Sequence, residues 1–243
     1  MAETMSTKWF ENVFPATTDE EKKQRDLIIS IGDRANADLF DKISLEITNP
    51  MTTIASYIKI FEAICDVVVE KEDEWDDFCL NVVDRFNIGY TTTSSDDDEK
   101  SGNFMVFMQY IDTPHDNTPE DENETDTIQL CVQWNAANIK TQSDILKDCM
   151  ARGKKVLSDT LNIKTENIEY IMPMFCIIHD ALITTVLEQI KDSDDPFSLN
   201  VAGLYTVTAD KIDGEPTIFF EPEVSLKLRF KNDAIATGRS EDE

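Results

Sequence analysis

Apolar residues along this chain follow two alternating rhythms. Ile54, Tyr57, Ile58, Phe61, Ile64, Cys65 and Val68 stand three and four apart, which places them on one face of a helix. Asn49-Pro50 reads as the start of that helix, because Asn caps orphan N–H groups and Pro suits the first helical position. The helix is expected to fade in the charged stretch from Glu70 to Asp77. A more polar helix is expected upstream, from Asp19 past Leu39 and Phe40 toward Ile47. The rhythm then shortens. Residues 78–82, 86–92, 104–111 and 128–134 are rich in β-formers and read as strands. Residues 93–102 read as a polar loop. Residues 112–126 hold seven acidic residues and no Lys or Arg, the pattern of a mobile, solvated loop.

After Asn138 the pattern restarts. Residues 142–161 read as a helix. A second helix is expected over 165–191, with Ile168, Ile171, Met172, Phe175, Ile178, Leu182, Val186 and Ile190 at helical spacing. Pro173 kinks it or marks its true start. Strands are expected at 197–201, 204–208, 217–220 and 224–230, with Asp213-Gly214 as a tight turn. Phe78-Cys79-Leu80-Asn81-Val82 aligns with Phe197-Ser198-Leu199-Asn200-Val201 at an offset of 119, with four identities in five. Phe86 then falls on Tyr205 and Ile88 on Val207. Together with the shared order of elements, this reads as an internal duplication. The chain accordingly divides into a loose leader (1–18), a first unit (19–138) carrying the acidic loop 112–126, a second unit (139–236) and a polar tail (237–243). Trp9, Phe10, Val13 and Phe14 in the leader are candidates to dock on a partner.

Charge narrows the function. Hydrophobic residues make up 41% of the 243, enough for a core, yet 49 Asp and Glu face only 22 Lys and Arg, for a net charge of -27. Nucleic acid binds through Lys and Arg that displace counterions, so a surface this acidic repels it, and repels anionic membrane as well. The five cysteines, Cys65, Cys79, Cys131, Cys149 and Cys176, form no C-x-x-C pair. Their odd count fits a reducing compartment in which thiols act as small core residues. The first ten residues show no signal-peptide pattern, and no stretch reads as a membrane span. The expected place is the cytoplasm or the inside of a particle.

The second half resembles a known family. Leu199-Asn200-Val201-Ala202-Gly203-Leu204-Tyr205-Thr206-Val207 is similar to the strand entry of the HU/integration host factor (IHF) family, keeping a Leu, a Gly, an aromatic and a Val. Phe230-Lys231-Asn232-Asp233 resembles the family's closing segment. The likeness covers 142–236 well and the first half more loosely, where Asp84 replaces the glycine. It implies an α+β fold of two tandem HU/IHF-like units, each two helices followed by a three-stranded antiparallel sheet. The family works as an intertwined dimer, which two fused copies would form within one chain or by pairing with other subunits. The family's DNA-gripping arm is long and basic. Here the matching segments, 209–216 and 94–100, are short and acidic, so no DNA-contact residue carries over. Acidic, duplicated versions resemble the IHF-like proteins of crAss-like bacteriophages, which implies service in the virion as rings around the neck and tail.

Candidate chemistry is sparse. No phosphate-cradling glycine motif occurs among seven glycines. His115 reads as a solvated loop residue. Cys176 and His179 share a helix face at a spacing that suits two metal ligands or a nucleophile–base pair, though a packed or partner-facing histidine is the plainer reading. The acidic runs 96–99 and 120–126 lack the glycine of a calcium loop. No cofactor, no metal site and no catalytic set is expected. The leading expectation is a non-enzymatic ring or connector subunit that contacts other virion proteins (portal, ring or tail components) and copies of itself. The alternatives are an acidic DNA mimic that inhibits a basic host protein and, further off, an HU-like DNA-binding protein.

Overall fold

The computed structural model describes residues 2–71, 74–75, 77–93, 103–110, 133–134, 137–164, 167–227 and 229. Among the described residues, five long α-helices and two three-stranded antiparallel sheets form a mixed α+β fold. In chain order these are α1 (Ala2–Val13), α2 (Asp19–Ile43), α3 (Pro50–Glu70), β1 (Phe78–Val82), β2 (Phe86–Thr93), β3 (Asn103–Tyr110), α4 (Ile139–Leu161), a 3-10 turn (Ile168–Tyr170), α5 (Ile171–Ile190), β4 (Phe197–Val201), β5 (Tyr205–Ile212) and β6 (Glu215–Pro222). The sheets run β1-β2-β3 and β4-β5-β6.

Local chemistry sets the helix ends. Thr18 and Glu21 form a reciprocal capping box ahead of α2. Asn49 accepts from the Met51 amide at 3.0 Å, and Pro50 opens α3 as expected. Ser44 turns left-handed (φ 55°), which stops α2 at Ile43, short of Ile47. Pro173 marks a start, standing third in α5, where an N–H has no intrahelical acceptor.

The two halves repeat one another in detail. Asn49 and Asn167 both cap helix starts. Ser44 and Asn162 both end a helix left-handed, and the residue after each donates to a leucine carbonyl six back, Leu45 to Leu39 and Ile163 to Leu157. Each pair is separated by 118 positions. In the strands the separation is 119. Phe78 faces Tyr90 and Val82 faces Phe86, just as Phe197 faces Ala209 and Val201 faces Tyr205. The intervening turns have left-handed residues at matched places, Val83 and Asp84 in one, Ala202 and Gly203 in the other. Asn81 Oδ1 accepts from the Asp84 amide at 3.0 Å, and Asn200 Oδ1 from the Gly203 amide at 2.8 Å. The repeated Asn is therefore a turn-holding residue.

The helices cross between halves. α2 packs on α5, and α4 packs on α3. Two ion pairs with the same 118-residue spacing clamp these crossings: Arg34–Glu188 at 2.6 Å and Arg152–Glu70 at 2.5 Å. Gln24 on α2 donates to the Ser198 carbonyl in β4, and Gln142 on α4 accepts from the Asn81 amide in β1. Each first helix thus reaches the other half's sheet. Gly32 permits the close approach of α2 to the start of α3, since a Cβ there would lie 2.5 Å from the Pro50 carbonyl oxygen. Gly32→Ala is expected to cost about 1–3 kcal/mol through overpacking, read as a lower urea midpoint with an unchanged slope.

Four expectations change. The leader is no loose segment, because Trp9, Phe10, Val13 and Phe14 form an amphipathic stripe; α1 packs on α3 and α4. Val224 to Lys227 form a helical turn, not a strand. Pro222 removes the donor that would extend the ladder, Glu223 accepts from Asn200 and Thr206, and Leu226 turns into the core. Gln133 and Trp134 are helical, while the rest of the strand expected over 128–134 lies outside the described residues. Finally, Ile168–Ile190 is long and apolar enough to cross a bilayer, contrary to the expectation of no such stretch, yet 67% of its most apolar window is buried inside the fold. The spans 94–102 and 112–126 also lie outside the described residues.

Candidate functional site

The halves meet in a cluster of rings. Tyr57 (α3) and Phe175 (α5), 118 positions apart, stack at 4.8 Å. Phe61 of α3 packs on Tyr205 of β5 at 5.1 Å, and His179 of α5 packs on Phe86 of β2 at 5.5 Å. Each second helix thus delivers a ring to the other half's strand. Phe220 of β6 joins Tyr110 of β3 at 5.7 Å, where the edges of the two sheets face each other. Three polar groups lie inside this apolar cluster. Tyr57 Oη is 2.8 Å from His179 Nδ1 and 2.6 Å from Tyr205 Oη. All three residues are essentially inaccessible to solvent. Nε2 of His179 has no hydrogen-bond partner among the described residues.

Burial, aided by the nearby Arg85 charge, lowers the His179 pKa to about 3, so the imidazole is neutral at ordinary pH. Burial also pushes both phenols up. Cys176, one turn before His179, is half-buried, and its thiol is pushed up to about 11, mainly by burial. A nucleophilic cysteine needs the opposite shift, and His179 Nδ1 is bonded to Tyr57 Oη. Neither observation supports a nucleophile–base pair of Cys176 and His179. No group of three or more metal-ligating side chains occurs among the described residues. His179 is a packed histidine that ties the halves together. His115 and the acidic runs 96–99 and 120–126 lie outside the described residues.

Beside this cluster Arg85, in the β1–β2 turn, grips Asp180 of α5, with Nε 2.6 Å from Oδ1 and Nη2 donating to Oδ2 at 2.9 Å. Cys65 and Cys149 are buried free thiols, as expected of small core residues. Cys79 departs from that expectation, being disulfide-bonded to a partner that is not among the described residues.

On the surface, an open groove of about 610 Å³ runs between α4, the β1–β2 turn and the start of α5. Val83, Ile139, Leu146, Met150 and Met172 are its apolar lining, and Asp84 and Lys147 its charged lining residues. Ile139 is 72% exposed, the largest exposure among the large apolar side chains described. Val83 holds φ 46°, a conformation costly for a β-branched residue, next to the turn that Asn81 pins. The positions 118 earlier than Leu146, Met150 and Met172 are Ile28, Gly32 and Ile54, and all three are buried. Leu146 and Met150 are half-buried where Ile28 and Gly32 are buried, whereas Met172, like Ile54, is buried, so the halves differ along α4.

No family model, curated protein or solved structure matches this chain.

The leader residues singled out for partner binding are placed differently. Phe10 and Phe14 are buried in the chain's own core, their rings 4.9 Å apart, and Trp9 lies half-buried beneath the Lys59 ammonium at 5.4 Å. Sequence reasoning missed the groove and the Tyr57–His179–Tyr205 link. Ile139, an apolar residue three positions before Gln142 at the polar start of α4, is the readable signal for the groove. Nothing in the spacing marked Tyr57 as a partner for residues 122 and 148 positions away.

Proposed function

We propose that this chain is a non-enzymatic structural protein built from two fused HU/IHF-like units that bind proteins rather than nucleic acid. Its proposed place is a ring or connector subunit in the neck or tail of a bacteriophage particle, in contact with other virion proteins. One observation carries the choice of partner. The six strands together contain a single cation, Lys211, and no Arg. That lysine is engaged with Asp194 at 3.2 Å. A sheet that grips a phosphate backbone needs several cations along its length. The β5–β6 connection, where the family's arm would extend, is a two-residue turn, Asp213-Gly214, flanked by Asp210 and Glu215.

The crossed packing supports the fused-dimer reading. Helices exchanged between halves, matched ion pairs and matched turns are what two units of an intertwined dimer would present when joined in one chain. The virion assignment rests on the resemblance alone. Two measurements test the proposal. In a low-salt gel shift with duplex DNA, no retarded band is expected. Mass spectrometry of purified particles from the source is expected to find the chain at a stoichiometry of several copies per particle. A salt-sensitive DNA complex would return the protein to the nucleoid class, and absence from every particle fraction would remove the virion role.

A further inference from the structure

We infer that the groove between α4 and the β1–β2 turn is the socket for the β5–β6 hairpin tip of a second copy of this chain, making a head-to-tail contact. The inference rests on the assembly reading above and names the surfaces that would carry it. The socket has an apolar lining with two charged residues, Asp84 and Lys147, the latter paired with Asp144 at 2.9 Å, and it lies along a helix with a cationic excess. In a chain of net charge -27, α4 carries five basic residues against three acidic. Lys147 lines the groove, and Lys140, one residue after Ile139, is exposed.

The tip has the complementary character. Ile212 is 48% exposed at the end of β5 and is followed by exposed Asp213, Gly214 and Glu215. Asp213 and Gly214 hold φ 52° and 86°, the geometry of a tight two-residue hairpin, so the tip is a preformed hook with one apolar residue among carboxylates. Insertion would cover Ile139 and Ile212, two of the six large apolar side chains exposed among the described residues.

Position makes the contact intermolecular. The groove includes Met172 at the start of α5, whereas the hairpin is tethered through Lys211 to Asp194, just past that helix's end. A 20-residue helix spans about 30 Å. One copy cannot fill its own groove. Because socket and tip are different surfaces of the chain, the contact is head-to-tail and repeats from copy to copy, closing a ring where the rotation allows.

The test uses the full chain and two surface variants, Ile139→Asp in the socket and Ile212→Asp at the tip, with circular dichroism to check the fold. Wild-type protein is expected to self-associate in sedimentation velocity, less so as salt rises. Each variant alone is expected to lose about tenfold or more in self-association. Mixed, the variants are expected to form a one-to-one dimer, because the intact tip of Ile139→Asp fits the intact socket of Ile212→Asp. Lys147→Glu is expected to weaken association, and adding Glu215→Lys to restore part of it. If wild-type protein assembles and both variants assemble equally well, the socket is wrong and the assembly reading stands. If wild-type protein is monomeric at every concentration and salt, this contact does not exist, and the particle analysis alone decides the virion role.

Discussion

Tyr57→Phe will destabilise the protein by about 2–4 kcal/mol, although it removes only one oxygen atom. The hydroxyl serves two buried groups, His179 Nδ1 and Tyr205 Oη, and water cannot replace it inside the ring cluster. Leaving a buried polar group without a partner costs about 1–3 kcal/mol, more than the bond itself contributes. For a chain of this size the loss corresponds to a drop in Tm of roughly 10 °C. The informative companion is the triple replacement Tyr57→Phe, His179→Phe, Tyr205→Phe. With every polar atom of the link removed, stability is expected to recover most of the single-variant loss, since an apolar set of similar shape leaves nothing unsatisfied. Calorimetry on the single and triple variants checks this. A triple variant less stable than Tyr57→Phe would show that the link stabilises the fold outright.

The second large effect is on acid stability. His179 has a folded pKa of about 3, below the value near 6.5 of an exposed histidine. The unfolded chain therefore binds the proton first. Stability contributed by the neutral, buried ring is fully present above about pH 6.5 and is lost as pH falls toward 3. One proton taken up on unfolding corresponds to at most about 1.4 kcal/mol per pH unit, or on the order of 4 kcal/mol over the window. His179→Phe keeps an aromatic ring in place and removes the proton site. Its urea midpoint is expected to fall less than that of the wild-type chain between pH 6.5 and 4. Protonation of carboxylates changes the background in the same way in both proteins, so the difference between the two curves reports His179. Parallel curves would overturn the assignment.

Much of the architecture can be read before any coordinates. Asn49-Pro50, the β-forming residues of β1 and β4, and Asp213-Gly214 are local signals, and each formed where expected because its physics lies within a few residues. The matched Phe, Leu, Asn and Val of the two pentapeptides proved to be a register and a turn clamp. Misreadings came where distant packing overrode local preference. Residues 224–227 have β-forming character, but Pro222 closes the ladder and Leu226 finds a place in the core. The leader's aromatics look like a sticky end in one dimension and are core residues in three. The offset of 118 in the helices against 119 in the strands also hid half of the repeat, since a single shift aligns only one set. The pairing of α2 with α5 rather than with its neighbour alone left no trace in periodicity.

That exchange of helices bears on how the molecule is made. α5, the partner of α2, starts at residue 171, some 150 residues after α2 begins. At translation rates of about 5–20 residues per second, the apolar stripe of α2 emerges from the ribosome roughly 10–30 s before its cover exists. α3 can cover part of that stripe early, but the part that α5 covers must wait, so synthesis of this chain is expected to place an early demand on chaperones that hold exposed apolar segments.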